Sequence, residues 1–554
     1  MNGAELLVRC LEIEGVEVIY GLPGEENLDF VEALRTSKIQ LVVTRHEQHA
    51  AFMAATHGRL TGRPGVCLAT LGPGATNLAT GIAHAQLGGF PLVAITGQKP
   101  AIGNWQGAFQ IIDVVGVLEP LTKWNAQVSS AAVIPRSVRH AFQTALDGRP
   151  GAVHLEIPVN VAEEDVDGSA PYDVVRVSDP VADAASLDRA AEMIRAAERP
   201  IVIVSGGGNR EPVCGALGAF LEATALFAVT TQMGKGALPE DHAFSLLCMA
   251  MHREDYVHAA IERADLVLTI GYDVTEYPPS IWNPDKDKRI LHVDSRLSDP
   301  DEFYLPALDL LGDVGATLDG LRERLDGTRK PCRALTALRD LLRERLYGED
   351  ADPPKGTPLP PRAIVRAVRA ALGREDVLCL DNGIYKLWFA RHYPAYARNT
   401  VLLDNALATM GAGLALGMAA KLVHPERKVL AVCGDGGFLM NDQDVETAVR
   451  LKLDLVVLIV RDDAYGFIRW KQANDGFPDF AMTFGNPDFV KLAEAYGATG
   501  MRVGAGDDAR EVLERALATR GPVLVDCPID YAPNEELERD FVTEARALVA
   551  KIDG

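Results

Sequence analysis

The sequence has no C-x-x-C pair, no histidines at zinc spacing beside its eight cysteines, no surplus of basic charge and no uncharged apolar run of membrane-spanning length. Each absence removes a class of function. Cys10, Cys67, Cys214, Cys248, Cys332, Cys379, Cys433 and Cys527 are scattered, and read as reduced core residues of a cytoplasmic protein rather than a disulfide frame or a zinc site. With 55 Lys and Arg against 77 Asp and Glu, the net charge of −22 disfavours nucleic acid and anionic membranes as partners, because both reward basic patches. Met1-Asn2-Gly3-Ala4-Glu5 opens directly into an amphipathic helix pattern, so neither a leader nor a membrane span is expected.

What is present is length and alternation. A chain of 554 residues exceeds what one hydrophobic core supports, and about three domains are expected. Residues 1–165 alternate helical patterns with the short apolar runs Val18-Ile19-Tyr20, Leu41-Val42-Val43, Val66-Cys67-Leu68-Ala69, Leu92-Val93-Ala94-Ile95 and Ala152-Val153-His154-Leu155. Such alternation implies a doubly wound α/β sheet with parallel strands. A polar run at 166–185 separates it from a second α/β unit at 186–325, and a second linker around one helix, 326–361, leads to a third unit at about 360–535 and a helical tail at 536–554. In the second unit Pro200–Val204 runs into Ser205-Gly206-Gly207-Gly208. Without a full G-x-G-x-x-G this is only a weak dinucleotide signal.

The most informative stretch is Lys428 to Gly466. Val429–Cys433 is β-rich and ends in Gly434-Asp435-Gly436-Gly437; a helix is expected from about Asp442 to Leu451; Leu455–Val460 is again β-rich and ends in Arg461-Asp462-Asp463-Ala464. That is a strand, helix, strand unit of the parallel kind, whose ligands gather at the carboxyl ends of the strands. Asp435 and Asp462 both fall at such ends, where two carboxylates repel unless a cation lies between them, and oxygen-only ligation suits Mg²⁺ or Ca²⁺. The adjacent glycines suggest a diphosphate sharing the metal. The plainer alternative is a turn that merely ends a strand.

This stretch resembles the signature of the thiamine diphosphate (ThDP) enzymes, a GDG followed after a helix by an Asn- or Asp-containing turn. The resemblance implies three doubly wound parallel-sheet domains, with Asp435, Asp462 and the Ala464 carbonyl as Mg²⁺ ligands and Gly434, Gly436 and Gly437 at the diphosphate. Glu47, taken alone, is a carboxylate at a helix start, favoured by the helix dipole. Within Arg45-His46-Glu47-Gln48, followed by Ala50-Ala51-Phe52-Met53-Ala54, it resembles the family's activating glutamate, which hydrogen-bonds the cofactor's pyrimidine and promotes formation of the ylid. Such a carboxyl must hold or share a proton in a desolvated pocket. By the same resemblance Pro23, Gly24 and Asn77 (beside the turn Gly72-Pro73-Gly74) contact the cofactor. Asn382 and Gly383 help grip the diphosphate, although Tyr385 and Lys386 stand where relatives often have His and Gln. Ala408 supplies a carbonyl to the cofactor amino group and Met410 props its V shape. Phe467 and Trp470, on one face of a helix, limit substrate size.

Gln106–Asp113 and Pro120–Trp124 resemble the acetolactate synthase pattern, with Gln110 near the reacting carbon, Phe109 beside the substrate and Lys123 in the frame of the pocket. Gly97–Trp105 lacks the adjacent histidines by which pyruvate decarboxylases release an aldehyde, which favours carboligation. Thr269–Asn283 resembles the catabolic, FAD-free branch, so FAD is not expected to be required. The implied activity is decarboxylation of pyruvate and ligation of the resulting enamine to a second 2-oxo acid, giving 2-acetolactate. The rivals are a non-ligating decarboxylase and a ThDP-fold binding subunit without catalysis. Glu47 and the metal turn lie in different domains, and the resemblance implies that they are brought together across a subunit interface in a homodimer or homotetramer.

Overall fold

The computed structural model describes every residue except 103, 104, 167, 176–179, 252, 326, 328, 329, 349–355, 539–541 and 554. The linker runs expected at 166–185 and 326–361, including Asp352-Pro353-Pro354-Lys355, therefore lie partly outside the described residues.

Short runs rich in Val, Ile and Leu, buried along the central strands and partly exposed at several edges, form three six-stranded sheets among the described residues. All pairings within them are parallel. Doubly covered parallel strands read as continuous apolar runs for this reason. The first sheet comprises β1 (Val18–Gly21), β2 (Gln40–Val43), β3 (Gly65–Ala69), β4 (Leu92–Gln98), β5 (Trp124–Gln127) and β6 (Ala152–Pro158). The second comprises β7 (Pro200–Val204), β8 (Ala228–Thr230), β9 (Ser245–Cys248), β10 (Leu266–Ile270), β11 (Arg289–Asp294) and β12 (Leu308–Leu311). The third comprises β13 (Val377–Leu380), β14 (Val401–Leu402), β15 (Val429–Gly434), β16 (Val456–Arg461), β17 (Thr499–Arg502) and β18 (Val523–Pro528). The first is ordered β2-β1-β3-β4-β6-β5 and the third β14-β13-β15-β16-β18-β17, the same winding used twice. In each, connections leave the first strand toward one side and return to the other, so a switch point opens between β1 and β3 and between β13 and β15. Crevices at switch points are where open α/β sheets bind ligands.

β5 was not expected as a strand. Trp124-Asn125-Ala126-Gln127 is a half-exposed edge strand, and such a strand needs no apolar run.

The first and third sheets are joined within one chain. The helix Glu47–Thr61 lies against the helix Gly413–Val423. His49 is fully buried there, with Nε2 3.4 Å from Met418 Sδ. Polar struts flank it: the Arg45 amide donates to Asp444 Oδ1 at 2.8 Å and Asn441 Nδ2 to Gln48 Oε1 at 3.1 Å.

The tail helix Val542–Asp553 buries Ala545 and Val549 among Tyr256, Leu338 and Leu342. Its charged residues pair with the second unit and the helix Arg333–Tyr347, as Glu544 with Arg345 at 2.7 Å. It packs on the second sheet's unit.

Candidate active site

At the switch point of the third sheet, a cavity of about 800 Å³ opens beyond the ends of β13, β15 and β16. Asn382 and Gly383 follow β13, Gly434 ends β15 with Asp435 to Gly437 after it, and Asp462 and Ala464 follow β16; all of them line it. Ala408 and Met410 enter from the loop before the helix Gly413–Val423, and Phe467 and Trp470 from the helix Gly466–Asn474. The second sheet's unit contributes Gln232, Met251, Arg253 and Thr275.

Asp435 is the best-fixed group. Its Oδ1 accepts from Gly436 N–H at 2.9 Å, and its Oδ2 from Asp463 N–H and Asn486 Nδ2, each at 2.8 Å. Burial nevertheless raises its pKa above the ordinary carboxylate value. Asp462 is pushed up further, to about 7, by burial and by the neighbouring Asp435 carboxylate. Two carboxylates that cannot both ionise cheaply mark a site short of positive charge. Among the described residues there is no group of three His, Cys, Asp or Glu side chains able to hold a metal ion. The turns offer instead two carboxylates and the buried Ala464.

The glycines differ in what they offer. A Cβ on Gly436 would stand 2.9 Å from the Tyr465 ring and one on Gly437 2.5 Å from Asp381 Oδ2, so both positions require the missing side chain. The Gly434 N–H, expected at the diphosphate, donates instead to Tyr385 Oη at 2.9 Å. The Tyr385 hydroxyl is thus committed to the turn.

Phe467 and Trp470 stack with centroids 5.9 Å apart and planes 26° apart, forming an aromatic wall. Lys471 Nζ sits 5.3 Å from the Phe467 centroid.

A second constellation forms at the switch point of the first sheet. Glu47 begins the helix after β2, and its Oε2 accepts from Asn77 Nδ2 at 2.9 Å. A Cβ on Gly74 would lie 3.2 Å from Glu47 Oε1, and one on Gly24 2.5 Å from Thr70 Cβ, so both glycines allow the turns to close around the carboxylate. Gln110, in a left-handed conformation at φ 60°, packs its carbonyl against Gly72. Pro23, Phe109 and Gln110 are exposed. None of these residues, nor Glu47, is among those lining the cavity of the same chain.

Lys123 is a correction. It lies at the amino end of β5, opposite the strand ends that carry Glu47, and its Nζ donates to the carbonyls of Asp147 and Arg149. It ties down a turn, and burial lowers its pKa.

Sequence reasoning missed Asn486, which bridges Asp435 Oδ2 and Asp463 Oδ1 at 2.8 and 2.7 Å, and the lining from the second unit. Gly485-Asn486-Pro487 carries only a generic turn signal. Contacts to Asp435 from that distance along the chain have no local signature.

In the second unit Gly207 packs closely on Gly271, a Cβ there standing 2.8 Å from Gly271 Cα, and Gly206, Gly207 and Glu276 line a small crevice with Arg149 and Arg210. Buried Glu276 accepts from Thr231 Oγ1 at 2.8 Å and Met233 N–H at 2.7 Å.

Three family descriptions match in order: the N-terminal TPP binding domain of thiamine pyrophosphate enzymes over residues 1–117, the central domain over 187–321 and the C-terminal TPP binding domain over 381–527. The chain is 36% identical over 544 residues to an acetolactate synthase of Bacillus subtilis (strain 168), covering 97% of this chain and 95% of that one. It is 31% identical to the catabolic acetolactate synthase of Raoultella terrigena, covering 96% of each chain. It is also 31% identical to the large subunit of acetolactate synthase isozyme 2 of Escherichia coli (strain K12), again covering 96% of each.

Proposed function

The chain belongs to the thiamine diphosphate-dependent enzymes of the acetolactate synthase family, and from that premise we propose that it converts two molecules of pyruvate into one of 2-acetolactate and one of CO₂. The single observation that carries the reading onto this chain's own residues is the pairing of Asp435 with Asp462 at the switch-point cavity, which Gly434, Gly436 and Gly437 also line. The donor set fits Mg²⁺ with a diphosphate: hard oxygen ligands, too much negative charge, and no soft ligand. Asp435, Asp462 and the Ala464 carbonyl hold the metal, and Asn382, Gly383, Gly436 and Gly437 frame the diphosphate. When bound, ThDP supplies the electron sink for decarboxylation.

The chain's own residues do the rest. Glu47 shares a proton with the aminopyrimidine ring, and Asn77 fixes the carboxylate for it. Pro23, Gly24, the Ala408 carbonyl and Met410 would hold and orient that ring. Phe467 and Trp470 exclude water and bound the substrate; Gln110 and Phe109 approach the reacting carbon. Because Glu47 and the cavity stand apart in one chain, the working site is assembled between copies in a homodimer or homotetramer.

The same reading divides the chain into units at 1–165, 186–325 and 360–535 with a tail at 536–554, and places it in the cytoplasm; among the described residues no helix is long and apolar enough to cross a membrane. FAD is not expected to be required.

Incubation with pyruvate, ThDP and Mg²⁺, with products identified by NMR, tests the reading. Acetolactate with one CO₂ per two pyruvates is expected. Acetaldehyde as the main product, or untouched pyruvate, would overturn it.

A further inference from the structure

The loop 404–412 carries Ala408 and Met410 into the cavity, and Ala408 is held at φ 54° although it is not glycine. A backbone of that kind persists where its surroundings over-determine it. Here the determinants are visible. Asp404 folds back over its own loop, Oδ1 accepting from Ala406 N–H at 2.9 Å and Oδ2 from Ala408 N–H at 2.8 Å. The same Oδ2 accepts from Nδ1 of His84 at 3.2 Å, and His84 belongs to the helix Ala79–Gly88 of the first sheet's unit.

From the other side, Lys386 Nζ donates to Asn382 Oδ1 at 2.7 Å, to the Asp404 carbonyl at 2.9 Å and to Asn405 Oδ1 at 3.0 Å. An ammonium has three N–H donors, and these three acceptors take them all. Asn382 passes the restraint on by donating from Nδ2 to the Thr409 carbonyl at 2.7 Å. The far end is tied by Asp381, whose Oδ2 accepts from Gly411 N–H at 3.0 Å. His84 and Asp404 are each 2% exposed and Lys386 6%. Buried charges such as Asp404 and Lys386 are costly unless their polar groups are satisfied, and here both are hydrogen-bonded around one loop.

We propose that His84, Asp404 and Lys386 are positioning residues for the cofactor: they clamp loop 404–412 so that the Ala408 carbonyl and Met410 are presented before ThDP arrives, and His84 makes the clamp depend on docking of the first unit. The inference rests on the cofactor reading above. Preorganisation of this kind raises affinity by removing the ordering cost from the binding step.

The test is calorimetric titration of each purified variant with ThDP at saturating Mg²⁺, with hydrogen exchange of the peptide spanning 404–412 in the cofactor-free protein. Asp404→Asn is nearly isosteric but cannot accept at both oxygens; it and Lys386→Met are expected to raise the Kd for ThDP at least tenfold and to speed exchange in the loop. Glu240→Gln is the control, since Glu240 is as buried, pairs with Lys235 at 2.6 Å and touches no part of the loop. It is expected to lower Tm with Kd within twofold. Unchanged Kd in Asp404→Asn and Lys386→Met, or an equal rise in Glu240→Gln, would overturn the proposal. If Asp404→Asn does not fold, His84→Gln, which keeps a donor, takes its place, with a smaller rise expected and an unchanged Kd again fatal. Failure of the parent protein to bind ThDP would sink the cofactor reading itself, a distinct result.

Discussion

Asp462 lies at the end of the strand next to that of Asp435, and burial together with the Asp435 carboxylate pushes its pKa up to about 7. Between its ordinary value near 4 and that value, the folded chain holds a proton that the unfolded chain lacks. Stability therefore falls as pH rises through this window and stays lower above it. A divalent cation relieves the cost by displacing the proton. Binding of Mg²⁺ with ThDP is expected to weaken by up to about tenfold per pH unit below 7. It should release a proton in calorimetry at pH 6.5 that is absent at pH 8.5. Asp462→Asn keeps an oxygen ligand, and should remove the proton release and reduce the pH slope of the metal-free Tm below about pH 7. Chelation by EDTA should abolish activity, restored by Mg²⁺.

Glu47→Gln keeps shape and the contact to Asn77 while removing the group that shares a proton. The expected loss in kcat is about 10²- to 10⁴-fold, with ThDP affinity changed only a few-fold. Exchange of the cofactor's C2 proton for deuterium, read by NMR after acid quench, should slow in parallel. A variant with normal exchange would remove Glu47 from the chemistry.

The separation of Glu47 from the cavity makes a complementation experiment decisive. If each site takes Glu47 from one copy and Asp435 from the other, Glu47→Gln and Asp435→Ala chains are each inactive alone. Unfolded and refolded together in equal amounts, they form mixed dimers with one intact site, and about a quarter of parental activity should return by random pairing. No recovery, despite mixed dimers detected by mass spectrometry, would place both residues in one chain's site.

Trp470 and Phe467 stack as a wall at the substrate end. Trp470→Ala is expected to raise kcat/KM for a 2-oxo acid one or two methylenes longer relative to pyruvate by roughly tenfold, the scale of methylene discrimination. A competition assay with both substrates measures the ratio directly, and an unchanged ratio would show that the wall does not set substrate size.

Much of this was legible in the sequence because it is local. Apolar runs at regular spacing announced the three parallel sheets. The Gly434–Gly437 turn and Asp462 were legible as glycines and carboxylates at adjoining strand ends. Glu47 needed its flanking residues to be distinguished from an ordinary helix-start carboxylate. Lys123 shows the limit: its place in a motif suggested the pocket, but strand direction puts it at the other end of the sheet. A motif fixes order along the chain, and only the pairing of β5 with β6 fixes which end a residue faces.

The sequence by itself determined the fold class, the family and the two constellations, since each depends on contiguous residues and periodic burial. Tertiary structure alone decided that Asn486 braces Asp435, that Tyr385 takes the Gly434 N–H, and that His84 and Lys386 converge on Asp404 from different units. Hydrogen bonds between groups far apart in the chain require both partners to be carried into place by separately folded elements, and nothing in either partner's neighbours along the chain records the other.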